Sequence, residues 1–433
     1  MSKKSKRASI LFLSLIISIL IFFNGNAVAK EQVNLRFMWW GGEARHKATL
    51  SAIDAYMKKY PYVKITAEYG GVTGYLQKLI TQLVGKTAPD VVQIDVTWLG
   101  ELFAQGDFFV DLKTVKGLNI KAFDQNFLNN WCYVGDKLVG LPTGVNCSVL
   151  QYNRDFFKKF GINENTVWTW DNLLETAEKV HKMDKNYYLL NFDPTVCYYM
   201  LKAYILQKTG GNWINDDYTL GFDKNILTEA FEYMDKLFKV GGIQPFEESA
   251  PFHGKPEQNP KWIKGELGIL WNWASTYPAN KAVVPSLSLT LPPVHKNAKS
   301  TAIVVRPSQL FAVYKYSKYV NEAVKFINWL LNDREAALIL GDVRGIPASS
   351  LARYALSKEN KIDPVLSKVT NEAMKRAAKP ENAISQNQEI EKISTDVIQE
   401  LGYRQLTPAQ AAEKLITLYE QRLAEIKRLQ STK

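Results

Sequence analysis

Strand-like and helix-like patterns alternate in the first part of this sequence, and this order restricts the possible fold more than any other feature. Apolar residues at every second position predict strands, and apolar residues three or four positions apart predict amphipathic helices. The resulting order is strand, helix, strand, helix and strand, over residues 33–40, 50–60, 63–67, 76–83 and 91–94. Such an order with short connections is typical of a parallel sheet in an α/β protein.

The ends of these strands are expected to form a ligand site. Right-handed crossovers place the carboxyl ends of parallel strands at one edge of the sheet, and ligands bind at that edge in open sheets. Three loops would converge there, over residues 39–45, 69–75 and 95–99.

The rest of the sequence predicts a second lobe. A chain of 433 residues exceeds what one hydrophobic core usually supports. From about residue 140 the pattern predicts strands at 148–152, 187–192, 268–271 and 287–291, and helices from 170, at 196–208 and at 225–240. An extended stretch over 301–314 and a helix over 320–331 follow, and the chain then reads as mainly helical. Because no low-complexity linker separates these regions, we expect two lobes connected by more than one crossover.

The first 29 residues have the pattern of a secretory signal peptide. Basic residues at positions 3–7 precede an apolar run over 8–23 and the small-residue triplet Ala27-Val28-Ala29. A membrane anchor is the alternative, but the run is shorter than the ~20 apolar residues that a span requires. No cysteine lies at the cleavage site, so we expect a periplasmic protein, exported with a cleaved signal peptide and not lipid-anchored.

Charge and cysteine content narrow the class of partner. The net charge is +11, but the sequence contains no long basic run. An exported protein also rarely meets nucleic acid, so we expect no nucleic-acid partner. A basic surplus fits acidic small molecules better. Cys132, Cys147 and Cys197 allow at most one disulfide, and a chain of this size requires none.

Motifs for catalysis or metal binding are missing from the sequence. It contains no G-x-S-x-G, no HExxH and no Cys/His metal spacing, and its four histidines are scattered. The glycines at 70, 71 and 74 do not match a phosphate-binding fingerprint, so we expect no cofactor and no metal. Carboxylates are plentiful, which leaves a secreted carbohydrate-active enzyme, a glycoside hydrolase or a polysaccharide lyase, as the alternative to a non-catalytic protein.

Tryptophans are the most informative side chains of this sequence. Five of them fall at predicted strand ends rather than on apolar helix faces, namely Trp39, Trp40, Trp98, Trp271 and Trp273. A single indole is more simply explained as a core residue, but a set at one sheet edge suits sugar binding, because the apolar face of a sugar ring stacks on an indole. The sugar hydroxyls need polar partners, for which the candidates are Glu43, Gln93, Asp95 and Asn146.

Positive side chains stand at the predicted start of the helix after the first strand. The free N–H groups of a helix N-terminus favour a negative ligand group, whereas Arg45 and His46 oppose the helix dipole there. These residues are either solvated surface groups or partners of a ligand carboxylate, with arginine making a bidentate pair. Arg344 is a further candidate of the second kind.

Several motifs occur in an order and spacing that are specific as a set. They cover residues 37–42 (FMWWGG), 88–93 (APDVVQ) with Trp98, 140–142 (GLP), 149–153 (VLQYN), 169–173 (TWDNL), 322–327 (EAVKFI) and 345–347 (GIP). On these motifs the chain resembles, over nearly its whole length after residue 29, the maltose-binding-protein-like solute-binding proteins of bacterial ABC sugar importers.

This resemblance implies a two-lobed α/β periplasmic-binding-protein fold with hinge crossovers and an oligosaccharide in the cleft between the lobes. The N-terminal lobe would comprise residues 30–142 and 300–345, and the C-terminal lobe residues 143–299 and 346–433. Closure of the lobes on the sugar would present the protein, as a monomer, to the membrane subunits of the permease. It implies a carrier and not an enzyme.

The stretch 39–48 (WWGGEARHKA) looks like the start of family members that take up pectin-derived sugars. It indicates oligogalacturonides, which are acidic, as the ligands. The residues predicted to bind them are Trp39, Trp40, Glu43, Arg45, His46, Asp95, Trp98, Asn146, Trp271, Trp273 and Arg344.

Overall fold

The computed structural model describes residues 31–252 and 258–431, so the predicted signal peptide and His253 lie outside the described residues. The strands are β1 (Val33–Trp40), β2 (Val63–Gly70), β3 (Val91–Ile94), β4 (Tyr133–Val134), β5 (Lys137–Leu138), β6 (Leu141–Pro142), β7 (Gly144–Asn153), β8 (Tyr188–Leu190), β9 (Leu267–Trp273), β10 (Leu287–Thr290), β11 (Val305–Pro307), β12 (Leu310–Val313) and β13 (Ile346–Pro347).

The α-helices are α1 (Glu43–Lys59), α2 (Tyr75–Val84), α3 (Leu99–Gln105), α4 (Gln125–Trp131), α5 (Arg154–Phe160), α6 (Trp170–Met183), α7 (Pro194–Thr209), α8 (Lys224–Lys239), α9 (Phe246–Ser249), α10 (Pro260–Ile263), α11 (Tyr277–Val283), α12 (Val320–Asn332), α13 (Arg334–Leu340), α14 (Ser350–Lys358), α15 (Pro364–Lys375), α16 (Gln388–Gly402) and α17 (Pro408–Ser431). No helix of the described part of the chain is long and apolar enough to cross a membrane.

The first sheet has the parallel arrangement that the sequence predicts. Its order is β2-β1-β3-β12-β6, and β1 pairs in parallel with β2 and with β3. The carboxyl ends of these three strands therefore lie at one edge, where the N–H of Gly41 donates to the carbonyl of Gly70. β12 returns from much later in the chain and runs antiparallel to β3.

The second sheet is organised around β7. The order is β10-β7-β9-β8, with β10 and β9 pairing along the second half of β7 and β11 and β13 along its first half. One face of this sheet packs on a separate core, formed with apolar residues of helices α6, α7, α8, α16 and α17. Two sheets, each with its own layer of helices, form the two-lobed α/β fold that the sequence predicts.

Three crossing segments connect the two sheets, and they meet at Gly144. In the first segment only Thr143 separates β6 from β7, and in the second Ser308 and Gln309 separate β11 from β12. The third segment, residues 341–345, leads from α13 to β13. A Cβ atom on Gly144 would lie 2.3 Å from the carbonyl oxygen of Arg344, so only glycine fits this position without displacing the neighbouring backbone. The division of the remaining segments between the lobes stays a prediction.

All three cysteines are buried free thiols. Burial raises the pKa of the Cys147 thiol to about 12, so this thiol stays protonated and unreactive at neutral pH.

Candidate functional site

A cavity of about 1380 Å³ lies between the carboxyl edge of the first sheet and the second sheet. From the first sheet it is lined by residues 42–45 at the start of α1 and by Thr97. From the second sheet it is lined by residues 270–273 of β9, and the crossover strand β11 closes it with Val305 and Arg306. Ligand sites of two-lobed α/β proteins are expected in this position because loops of both sheets converge there.

The start of α1 faces the cavity without a side-chain cap. Gly42 stands at the N-cap position and has no side chain to accept hydrogen bonds from the first backbone N–H groups of the helix. These groups carry the positive end of the helix dipole and favour an anionic or strongly accepting partner. Glu43 also lines the cavity and is exposed, and it is the acidic residue of the first turn.

Arg45 lies half-buried in the cavity wall without an acidic partner among the described residues. Its Nε donates to the carbonyl of Val343 at 3.2 Å, and its Nη1 donates to the carbonyl of Trp40 at 3.3 Å. Burial lowers the pKa of Arg45 to about 10, so the guanidinium is charged at neutral pH although the fold does not neutralise it. A buried cation of this kind gains free energy from an anionic ligand.

Arg344 strengthens the positive potential behind Arg45. It is 5% exposed, and its guanidinium donates to the Gln93 amide oxygen and to the Thr49 hydroxyl. Its Nη1 atom is buried without a hydrogen-bond partner, and burial together with the neighbouring Arg45 lowers the pKa of Arg344. Arg344 does not line the cavity, so its effect on a bound ligand would be electrostatic and not a direct contact.

Arg306, which the sequence reasoning missed, lies on the crossover strand and faces the cavity. Its Nη1 pairs with Asp95 at 2.9 Å, and its guanidinium lies over the ring of Trp273 with the Cζ atom 4.6 Å from the ring centroid. The ion pair connects the end of β3 in the first sheet to the strand that crosses between the lobes. Trp273 lies at the end of β9 and is only half-buried, so it combines a stacking surface with a fixed orientation.

Trp271 lines the cavity two residues earlier on β9. Its indole N–H donates to the Ser148 hydroxyl at 2.6 Å, and it is 5% exposed. Asn146 lies near Trp273 but does not reach the cavity, because its amide oxygen accepts from the backbone N–H groups of Cys147 and Ser275.

The other predicted site residues lie behind the cavity wall. Trp39 is fully buried, stacks on Tyr69 and donates to the Nδ1 atom of His46. Trp40 and Trp98 pack on each other with ring centroids 4.8 Å apart. Of the predicted residues, the cavity therefore collects Glu43, Arg45, Trp271 and Trp273, whereas Trp39, Trp40, His46, Asp95, Trp98, Asn146 and Arg344 do not line it.

Helix α7 supplies cavity residues that the sequence reasoning did not single out. They include Tyr199 and Lys202, together with Asp193 at the N-cap of the helix. The sequence around these residues does not indicate a site, because they lie in a mainly buried helix. They line the cavity together with residues of the segment 299–305, which is distant in the chain. Within the described residues, no group of three His, Cys, Asp or Glu side chains is arranged to hold a metal ion.

Comparison with known proteins places this fold and cavity in a known context. The sequence model of the family described as "Bacterial extracellular solute-binding protein" matches residues 42–337. The chain is 24% identical over 273 residues to a probable ABC transporter-binding protein of Deinococcus radiodurans, covering 59% of this chain and 62% of that protein. It is 25% identical over 189 residues to the arabinooligosaccharide-binding protein of Bacillus subtilis, covering 41% of this chain and 43% of that protein. The alignments thus span less than two thirds of these curated relatives.

Solved structures match over a larger share of the chain. A periplasmic solute binding protein from Pectobacterium atrosepticum has a TM-score of 0.83 at 28% identity, with 91% of this chain and 99% of that chain covered. A periplasmic oligogalacturonide binding protein from Yersinia enterocolitica, in complex with saturated digalacturonic acid, has a TM-score of 0.81 at 28% identity and the same coverage.

Proposed function

This chain belongs to the bacterial extracellular solute-binding protein family, and from this premise we propose that it captures acidic oligosaccharides for an ABC importer. The ligands are pectin-derived oligogalacturonides, which the two lobes enclose without altering them. The closed form then docks on the membrane subunits of the permease, and the protein works in the periplasm as a monomer.

One arrangement in the cavity supports the proposal that the ligand is acidic. The uncapped N-terminus of α1 and the guanidinium of Arg45 face the same cavity, and Arg45 has no acidic partner among the described residues. A uronate carboxylate supplies the missing counter-charge, and the half-buried indole of Trp273 supplies the surface on which a sugar ring stacks. The Yersinia enterocolitica protein, which is in complex with saturated digalacturonic acid, supports this assignment.

Arg45→Gln tests the recognition of the carboxylate. We expect the affinity for digalacturonate to fall tenfold or more, because a charged hydrogen bond contributes roughly 1.5–3 kcal/mol. The affinity for the methyl-esterified disaccharide, which has the same rings but no charge, should change little. Calorimetric titration of both sugars measures the difference.

The control for this experiment is Arg334→Gln. Arg334 lies on α13, pairs with Glu359 and is away from the cavity. It should leave both affinities unchanged. Equal losses for the charged and the esterified sugar in Arg45→Gln would refute uronate recognition by Arg45, and a wild-type protein that binds only neutral sugars would refute the acidic ligand class.

Trp273→Ala tests the stacking surface. We expect weaker binding of charged and esterified sugars alike, by roughly 1–3 kcal/mol, because the lost contact involves the apolar ring face. Unchanged affinities would assign Trp273 to the lobe core. The alternative function, a hydrolase or a lyase, predicts product when the protein is incubated with oligogalacturonides, whereas a carrier changes its tryptophan fluorescence and releases the sugar intact.

A further inference from the structure

The cavity extends well beyond the cleft that contains Arg45 and Trp273. Its wall follows α7 from Thr195 to Leu206, which at 1.5 Å per residue is roughly 16 Å along the helix axis. The rest of this wall is formed by residues 299–302 and 377–381, which contact α7 at Gln207 and Lys202. We call this extension the α7 arm. The total volume of about 1380 Å³ exceeds the ~1000 Å³ upper size of sites for drug-sized ligands, so a disaccharide fills only part of it.

The floor of the α7 arm is polar and contains an internal ion pair. Lys202 is 9% exposed, pairs with Glu381 at 2.7 Å and donates to the carbonyl of Ser385. Beside it, Tyr199 presents a half-buried phenol ring to the cavity. A neutral polar pair next to an aromatic ring suits the hydroxyl groups and the apolar face of a sugar.

Two lysines at the wall of the α7 arm have no acidic partner among the described residues. Lys299 and Lys379 both line the cavity and both are exposed. Their backbones are held in place, since the N–H of Lys299 donates to the carbonyl of Gln207 at 2.7 Å and the N–H of Ala378 donates to the carbonyl of Ile303 at 2.9 Å. Both side chains therefore extend from backbone that is held by hydrogen bonds, and neither ammonium group is engaged by an acidic side chain of the described residues.

We propose that the α7 arm is a second carboxylate subsite, so that the preferred ligand is a linear acidic oligosaccharide longer than a disaccharide. This inference rests on the proposed function and deepens it. Every ring of an oligogalacturonide carries one carboxylate, so a chain that begins at Arg45 and continues along α7 brings later carboxylates to Lys299 and Lys379. A disaccharide held in the cleft does not reach them.

The double variant Lys299→Ala/Lys379→Ala tests this assignment by calorimetric titration with saturated di- and tetragalacturonate. The wild-type protein should bind the tetramer about tenfold more tightly than the dimer, which corresponds to about 1.4 kcal/mol for the two added charged contacts together. The double variant should lose that gain and bind the dimer as the wild type does. Raising the salt concentration should reduce the gain in the wild type only.

Lys296→Ala/Lys368→Ala is the matched control, since both of these lysines are exposed, lie outside the cavity wall and change the net charge equally. It should retain the gain with chain length. Equal dimer and tetramer affinities in the wild type, a gain that survives in Lys299→Ala/Lys379→Ala, or the same gain with the fully methyl-esterified tetramer would each overturn the second subsite. These outcomes leave the proposed function intact, because that function fails if the wild type does not bind digalacturonate or if it converts the sugar to a product.

Discussion

At the scale of single residues, two neighbouring aromatic side chains show how burial separates structural from functional roles. Trp39 is fully buried and donates its indole N–H to the Nδ1 atom of His46, so the unprotonated His46 is the acceptor in this contact. Burial lowers the pKa of His46, and the positive charges of Arg45 and Arg344 lower it further, against the opposing effect of Glu43. His46 thus holds Trp39 behind the site, and it accepts this hydrogen bond only as the neutral imidazole.

The lowered pKa of His46 predicts a pH dependence of stability. Below about pH 6.5 the unfolded chain takes up a proton at His46 that the folded protein resists, so stability is lost as the pH falls from 7 to 5. His46→Gln removes this contribution, so the Tm of the variant should fall less than the wild-type Tm over this range. Thermal unfolding followed by circular dichroism measures both profiles.

The reference for this comparison is pH 8, where His46 is neutral in both states and the Tm difference reports only the changed contact with Trp39. Burial also lowers the pKa of His295, which therefore contributes a slope common to both proteins. A Tm difference that stays constant from pH 8 to pH 5 would contradict the assignment to His46.

At the scale of elements, β7 has a role that no other strand of the described chain shares. Its first half pairs with β11 and β13, which belong to the crossing segments, and its second half pairs with β9 and β10 of the second lobe. Ser308 adds side-chain contact at this point, because its hydroxyl donates to the carbonyl of Arg344. The strand therefore joins the second lobe to the crossing segments through two sets of strand pairs.

Gly144→Ala tests the close packing at this crossing. The new Cβ would lie 2.3 Å from the Arg344 carbonyl oxygen and 3.1 Å from the Ile346 carbonyl oxygen, both of them backbone atoms. We expect a loss of about 1–3 kcal/mol in the free energy of unfolding, measured by chemical denaturation, because backbone must shift to admit the methyl group.

Gly100→Ala in α3 is the control, since its Cβ would meet no atom within 4 Å and alanine favours the helix. It should be neutral or slightly stabilising. If Gly144→Ala were equally harmless, the crossing segments would be less tightly packed than their distances imply.

At the scale of the whole molecule, the positions of the binding groups predict closure on the ligand. Arg45 lies on α1, which follows the first strand of the first sheet, and Trp273 lies on β9 of the second sheet. A sugar therefore gains both contacts only when the lobes approach each other. Digalacturonate at a hundred times its Kd should stabilise the protein by about 2.7 kcal/mol and raise its Tm by roughly 3 °C. It should also lower the radius of gyration measured by small-angle X-ray scattering.

Arg45→Gln at the same sugar concentration is the matched comparison, and it should show a smaller rise in Tm and less contraction. A Tm that rises while the radius of gyration stays unchanged would mean that the sugar binds to lobes already closed. In that case, the sugar would not close the lobes by contacting the closed form better than the open form.

The sequence by itself determined the parallel strands β1, β2 and β3 and the positive start of α1, because these depend on local periodicity and on residues close together in the chain. The two-lobed fold was predicted from the chain length and from the family motifs. The tertiary structure alone decided which indoles border the cavity, placing Trp273 in its wall and Trp39 and Trp98 behind it. It alone brought Arg306 to Asp95 and Lys202 to Glu381, pairs separated by 211 and 179 positions. Local patterns report the secondary structure of a side chain and its average burial, whereas membership of a cavity depends on packing between distant segments, which no local spacing encodes.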